Sequence, residues 1–137
     1  MGEVRTRVLI TNAVDEELSR RGQLSVDQIR SYEADAMVDT GAVRSIIPPH
    51  IVERLGLTIR GQRVVEYADG RKDVVDVTGP VLFTILDRDT MEEALVRGDE
   101  VLIGQTVLEK TDVLVDCNSR HIVPNPAHPD QPVTKVK

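Results

Sequence analysis

The chain has 137 residues, of which 40% are hydrophobic and 29% are charged, values typical of one compact domain rather than of a disordered segment. Only 2% of the residues are aromatic, so the core must be filled by Val, Ile, Leu and Ala, whose β-branched members favour strands. The net charge of −6 argues against nonspecific binding to nucleic acid, which depends on clustered Lys and Arg, so no nucleic-acid partner is expected.

The sequence carries no pattern typical of membrane insertion or secretion. No apolar run approaches the length that spans a bilayer, and the first residues lack the apolar stretch of a secretory signal. The single cysteine, Cys117, cannot form an internal disulfide and is compatible with a reducing compartment. These observations predict a cytoplasmic protein without membrane partners.

The first thirty residues predict a strand followed by a short helical insertion. Apolar and polar residues alternate from Val4 to Ile10, which is the period of a strand with one buried face. Asn12 can cap a helix from Asp15 to Arg21, which Gly22 would end. Capping-box spacing at residues 25–28 indicates one further helical turn.

The next segment predicts strand, loop, strand and helix in that order. A strand is expected to end at Val38, and the β-branched sequence VRSII at residues 43–47 indicates another. Pro48 and Pro49 would end that strand and open a short helix closed by Gly56.

Residues 58–77 predict a protruding hairpin, because two strand-like runs flank the turn pair Asp69 and Gly70. Gly79 and Pro80 predict a break before another strand, VLFTIL. A turn-rich stretch is then expected to lead to the apolar run VLIG, which ends at Gly104.

A short helix at residues 105–110 and two strands at 113–115 and 121–123 complete the predicted elements. We assign residues 1–123 to a single domain with a helical insertion at about 12–30, and residues 124–137, which contain four prolines, to a C-terminal tail. The sequence contains no internal repeat.

The most informative segment is VDTGA, in which a carboxylate follows an apolar strand. The strand would hold Asp39 rigidly, the Thr40 hydroxyl can hydrogen-bond across a tight loop, and Gly41 allows a close backbone approach. Ala42 keeps the floor of the loop small. Such an arrangement presents a carboxylate to a cleft, where it can bind and activate water.

This motif, followed by a strand and a helix, resembles the active-site signature of retropepsin-like (retroviral-type) aspartic proteases. The Asp69–Gly70 hairpin lies where that family has its flap, and Leu102, Ile103 and Gly104 match the two hydrophobic residues and the glycine that precede its C-terminal helix. The resemblance covers roughly residues 32–123. It implies a mostly β fold, a closed or partly open barrel with one or two short helices.

The resemblance also implies a homodimer, because family members of this size carry one motif per chain. A two-fold axis would bring Asp39 of both chains together, and the single VDTGA agrees with this. Two adjacent carboxylates share one proton, so the ionised one can activate a water while the protonated one stabilises the oxyanion. The expected function is an aspartic endopeptidase that acts on peptides or proteins without a metal or cofactor.

The resemblance assigns the remaining site residues. It implies that Thr40 hydrogen-bonds to its counterpart across the axis and that Gly41 contributes backbone contacts to the substrate. Thr40, Gly41 and Ala42 are thus expected to be substrate-binding residues. The hairpin tip would close over the peptide with the substrate-binding residues Ala68, Asp69, Gly70 and Arg71. Viral relatives often carry an acidic residue after the alanine, where this chain has Val43.

Other interpretations stay open at the level of sequence. Asp39 could be an ordinary turn residue, the fold could serve as a dimeric peptide- or protein-binding module without catalysis, or dimer assembly could be the function, with the tail as a ligand for another protein. The three histidines lack metal-ligand spacing, and Cys117 has no partnered His motif, so neither a metal site nor a cysteine nucleophile is predicted.

Overall fold

The structure is a computed structural model that describes residues 3–136; residues 1, 2 and 137 of the predicted domain and tail lie outside this range. The strands in the described part of the chain are β1 Val4–Asn12, β2 Ser31–Val38, β3 Ile46–Ile47, β4 Ile59–Glu66, β5 Lys72–Ile85, β6 Arg88–Val96, β7 Leu102–Ile103, β8 Val113–Asp116 and β9 His121–Pro124. The helices are α1 Ala13–Arg20, α2 Pro49–Arg54 and α3 Gln105–Thr111, with a 3-10 turn at Val26–Gln28.

Six strands close into a ring. β1 pairs with β2 and also with β5, so the order β1-β2-β7-β3-β6-β5 returns to its start. β4 extends the sheet beyond β5, and β8 and β9 form a separate two-stranded sheet. The predicted mostly β, barrel-type fold is therefore confirmed.

Aliphatic side chains fill the inside of this ring and form the core, as the composition predicted. On β1 and β2 the alternation is visible directly, because Val8 and Ile10 are buried and the facing strand places Ala34 and Ala36 on the same side. The only phenylalanine of the sequence, Phe83, is fully buried. Within residues 3–136, no helix has the length and apolar character needed to cross a membrane.

The insertion after β1 is tied to the end of α2 at its start, and an ion pair joins its two ends. Asn12 caps α1 as predicted, with its side-chain oxygen accepting from Asp15 N at 3.0 Å, and its amide donates to Leu55 O at 2.8 Å. At the other end, the Arg30 guanidinium donates to both carboxylate oxygens of Asp15 at 2.8 and 3.0 Å, which lowers the pKa of Asp15. The insertion is thus part of the packed domain.

The predicted break at Gly79 and Pro80 is wrong, because β5 runs through both residues. The pairing of β5 with β6 shifts register between Val77 and Pro80. This bulge accommodates Pro80, which has no backbone N–H to donate to the neighbouring strand. Within the bulge, the Thr78 hydroxyl accepts the Ala94 N–H at 3.0 Å and so replaces a ladder bond.

The stretch predicted to be turn-rich is in fact the strand β6. Leu86 and Asp87 connect β5 to β6 with φ values of 53° and 63°. Two central residues with positive φ are typical of a type I′ hairpin turn, which is normally signalled by Asn-Gly or Asp-Gly. The pair Leu-Asp lacks that signal, and this explains why the sequence did not predict the turn.

The hairpin of β4 and β5 is confirmed, and most of β4 is exposed. The loop between these strands spans residues 67–71, in which Gly70 N donates to Tyr67 O at 2.9 Å and Tyr67 N donates to Arg71 O at 2.8 Å. Gly70 has φ 87°, the left-handed conformation that glycine adopts without strain. Asp69 stabilises the tip by accepting from Arg71 N and Nε at 3.0 and 2.7 Å.

The C-terminal tail is fastened to the end of α3 by Asp112. Its carboxylate accepts from Asn125 Nδ2 at 2.9 Å and from Val133 N at 3.0 Å, and lies 2.6 Å from His128 Nδ1. The buried Arg88 donates to the backbone oxygens of His128 and Asp112 at 2.5 and 2.7 Å. Part of the proline-rich segment is therefore packed against the domain.

We expect the attachment of the tail to weaken in acid. The hydrogen bonds from Asn125, Val133 and His128, in that order, lower the pKa of Asp112 from 3.8 to about 2. A carboxylate with a depressed pKa contributes stability above its ordinary pKa and loses it as the pH falls toward the folded value. Hydrogen exchange of the Val133 amide, corrected for the intrinsic rate, should accelerate as the pH falls from 3.8 to about 2.

The Phe83 amide in the barrel serves as the reference for global unfolding. Asp112→Asn, which removes the charge but keeps an oxygen acceptor, should show faster Val133 exchange at neutral pH as well. A Val133 amide that is equally protected at pH 6 and at about pH 2 would contradict this role of Asp112.

Candidate active site

Asp39 lies directly after β2, at the point where β2 pairs with β7. Val38 pairs with Ile103 of the parallel strand β7, and Asp39 N donates to Ile103 O at 3.0 Å. The backbone of Asp39 is thus held by a neighbouring strand while its side chain remains partly exposed. A carboxylate fixed in this way is oriented without losing access to solvent or substrate.

The loop after Asp39 folds back on the carboxylate. Gly41 N donates to Asp39 Oδ1 at 2.9 Å, and Ala42 N donates to Asp39 O at 3.1 Å. A Cβ on Gly41 would lie 3.2 Å from Asp39 Oδ1, a contact tighter than is usual for side chains. A side chain at position 41 would therefore crowd the Asp39 carboxylate.

The start of α3 supports this loop from behind. Gln105 N donates to Ala42 O at 2.7 Å, and Thr106 N donates to Val43 O at 3.2 Å. The first N–H groups of a helix have no partner inside the helix, so the loop carbonyls satisfy them. One set of contacts therefore caps α3 and fixes the loop that carries Asp39.

The backbone at Gly104 passes so close to the backbone of the same loop that no side chain fits at this position. A Cβ at this position would lie 2.6 Å from Arg44 O and 3.0 Å from Ala42 O. Gly104 N donates to the hydroxyl of the fully buried Ser45 at 2.9 Å, which joins the two segments further. The glycine of VLIG is thus a packing requirement of the site.

A cavity of about 510 Å³ opens beside Asp39. The motif contributes Asp39, Gly41 and Ala42 to its wall, and the hairpin contributes residues of β4 and β5. Of the predicted site residues, the structure brings these three together. Those that do not line the cavity in the single chain are Thr40, Ala68, Asp69, Gly70 and Arg71, all of which are exposed.

Several cavity residues were not predicted. Arg63, Val65 and Tyr67 line it from β4 and the start of the hairpin loop, and their spacing of two is the signal that they share one face of a strand. That signal does not say which face meets Asp39. Arg97 follows β6 and carries no motif, so nothing in the sequence pointed to it.

The cavity combines apolar and ionisable groups. Arg97 stacks on the Tyr67 ring with its guanidinium carbon 4.6 Å from the ring centroid. Within residues 3–136, no group of three or more His, Cys, Asp or Glu side chains is arranged to hold a metal ion. Cys117 is exposed in the turn between β8 and β9 and does not line the cavity.

The sequence was also compared with models of protein families. Residues 23–120 match the model of an aspartyl protease family, which is well over half of the chain and includes the whole VDTGA segment. The chain belongs to the aspartyl protease family. A comparison with curated protein sequences found no match.

Solved structures of retroviral and retroviral-like proteases share the fold of this aspartyl protease family member. The retroviral protease-like domain of Ddi1 from Leishmania major superposes with a TM-score of 0.55 at 16% identity, covering 92% of this chain and 90% of that domain. The EIAV protease complexed with the inhibitor HBY-793 superposes with a TM-score of 0.54 at 19% identity, covering 79% and 86%. The fold is of the retropepsin type.

Proposed function

We propose that the protein is an aspartic endopeptidase whose active site is completed by a second copy of the chain, with Asp39 as the catalytic carboxylate of each. The observation that carries the proposal is the fixation of Asp39 at a strand end, with Gly41 N on one carboxylate oxygen and a cavity in front. In a member of the aspartyl protease family, this is the acid best placed for the reaction.

The two-chain site follows from the chemistry of the reaction. A single chain provides one such carboxylate, whereas the reaction needs both a proton acceptor and a proton donor. A two-fold axis near Asp39 would supply the second acid automatically, since identical residues meet on the axis of an isologous dimer. Two carboxylates so close share one proton, because both cannot ionise without strong repulsion.

The proposed mechanism needs only these acids and water. The ionised carboxylate accepts a proton from the bound water as its oxygen attacks the carbonyl carbon of the scissile peptide bond. The protonated carboxylate donates to the developing oxyanion. Protonation of the nitrogen and cleavage of the C–N bond then release an amine and a carboxylic acid, and the shared proton is restored.

The other predicted residues have supporting roles in this proposal. Thr40, which is exposed beside Asp39, would hydrogen-bond to Thr40 of the second chain across the axis. Gly41 and Ala42 would contact the substrate backbone. The hairpin tip from Ala68 to Arg71 would close over a peptide that is bound as an added strand between hairpin and loop. A substrate of this kind is an extended peptide or an unfolded protein segment.

The proposal is tested by measuring peptide cleavage, first with a library and then as a function of protein concentration. A diverse peptide library should be cleaved between acidic and neutral pH, and a transition-state mimic of the statine type should block the cleavage. Because the site needs two chains, activity per chain should fall on dilution at the concentration where sedimentation shows dimers dissociating. A dimer that binds peptides but never cleaves them would identify a binding module instead.

A further inference from the structure

The cavity beside Asp39 is rich in arginine although the chain as a whole is acidic. The protein has a net charge of −6, yet three arginines line the cavity, Arg44, Arg63 and Arg97, against the carboxylates of Asp39 and Glu66. Arg44 is already engaged, since it donates to Glu93 O at 3.2 Å and lies 3.7 Å from the Glu93 carboxylate. The other two arginines, Arg63 and Arg97, are therefore the cavity cations that remain available to a ligand.

Arg63 and Arg97 have no carboxylate within 4.0 Å among residues 3–136. The guanidinium of Arg97 lies over the Tyr67 ring. Stacking of this kind leaves the N–H groups in the plane of the guanidinium available for a ligand. Arg63 is exposed on the same face of β4 as Val65, so both cations border one groove.

The surface between these cations is apolar. The side chains that line it belong to Ala42, Ile46, Val65, Val75, Leu95 and Leu102. Besides Asp39, the acidic groups on the facing elements include Glu66, which is exposed, Asp73, which accepts from Tyr67 OH at 3.3 Å, and the already paired Glu93. Asp76 on β5 accepts from Gln62 Nε2 at 3.3 Å. An apolar floor bordered by two unpaired arginines is complementary to an apolar side chain next to an acidic one.

We infer that this groove selects peptides that carry a Glu or Asp next to an apolar residue, with Arg63 and Arg97 as the residues that bind the acidic side chain. The inference rests on the proposed peptidase function and names its substrate class. A bound peptide would displace water from both guanidiniums, and a carboxylate compensates that desolvation with charge-assisted hydrogen bonds, whereas a neutral side chain does not. A lysine at the same place would be repelled.

The test uses labelled ten-residue peptides rich in Val, Leu and Ala, with one Glu, Gln or Lys placed at each position in turn. At one or two positions, kcat/KM should be about tenfold higher for Glu than for Gln, the effect of one charge-assisted hydrogen bond. The double variant of Arg63→Gln and Arg97→Gln should remove this preference, and Arg63→Glu should shift it toward Lys. Arg20→Gln, a change on α1 outside the groove, is the matched control and should leave the preference unchanged.

The affinity of the same peptides for Asp39→Asn, measured by fluorescence anisotropy, separates this inference from the proposed function. If the kcat/KM values for Glu and Gln peptides agreed within about twofold, the inference would be overturned and the proposed peptidase function would be unaffected. Charge-selective binding that disappears in the double variant, with no cleavage of any peptide by the unmodified protein, would support the inference and overturn the peptidase. Melting temperatures of all variants identify a loss that is due to unfolding.

Discussion

Replacing Asp39 with asparagine is expected to lower kcat/KM by about 10²–10⁴-fold, the contribution of a positioned general base, while leaving the fold intact. The asparagine side chain has nearly the same shape, and its amide oxygen can still accept the Gly41 N–H that reaches Asp39 Oδ1 at 2.9 Å. It cannot take a proton from water. The measurement is the cleavage rate of the best library peptide, together with the melting temperature of the variant.

The matched control for this prediction is Asp116→Asn. Asp116 also ends a strand and accepts a backbone N–H two residues later, from Asn118 at 3.1 Å, but it does not line the cavity. Its replacement should leave activity unchanged. Full activity of Asp39→Asn, or equal losses in both variants, would remove Asp39 from the catalytic role.

Mixing the unmodified chain with the Asp39→Asn chain tests whether each active site needs an Asp39 from both protomers. If each site needs an Asp39 from both chains, adding excess Asp39→Asn chain to a fixed amount of the unmodified protein should inhibit it, because hybrid dimers hold only one acid. Activity that stays constant as the Asp39→Asn chain is added would show that a single Asp39 suffices.

Replacing Gly104 with alanine is expected to destabilise the protein by about 3 kcal/mol, the upper part of the usual range for overpacking, and to impair cleavage. The new methyl group would lie 2.6 Å from Arg44 O and 2.7 Å from Arg44 C, both backbone atoms that cannot rotate away. Relief requires the loop at residues 39–45 to move, and Asp39 would move with it. Urea unfolding and kcat/KM measure the two effects.

Gly61→Ala provides the control. Gly61 lies on the exposed strand β4, and a Cβ there would meet no atom within 4 Å. Its replacement should change the unfolding free energy by less than about 0.5 kcal/mol. If Gly104→Ala proved as stable and as active as Gly61→Ala, the close crossing at Gly104 would not be a requirement of the site.

Local patterns explain which predictions succeeded. The alternation along β1, the Asn12 cap and the Asp69–Gly70 turn depend on neighbours in the sequence, so they can be recognised without knowing the fold. The errors occur where another part of the chain intervenes. β5 continues through Pro80 because a bulge against β6 absorbs it, and the Leu86–Asp87 turn forms because two long strands pair on either side.

The sequence by itself determined the mostly β fold and the position of the VDTGA motif, since hydrophobic periodicity and a contiguous signature are properties of neighbouring residues. Only the tertiary structure decided that Gly104 crosses the Asp39 loop and that Arg63 and Arg97 face the same cavity. These contacts join residues that are distant along the chain. They exist because closure of the six-stranded ring brings the hairpin, β7 and the end of β6 to the end of β2, and no local pattern encodes that closure.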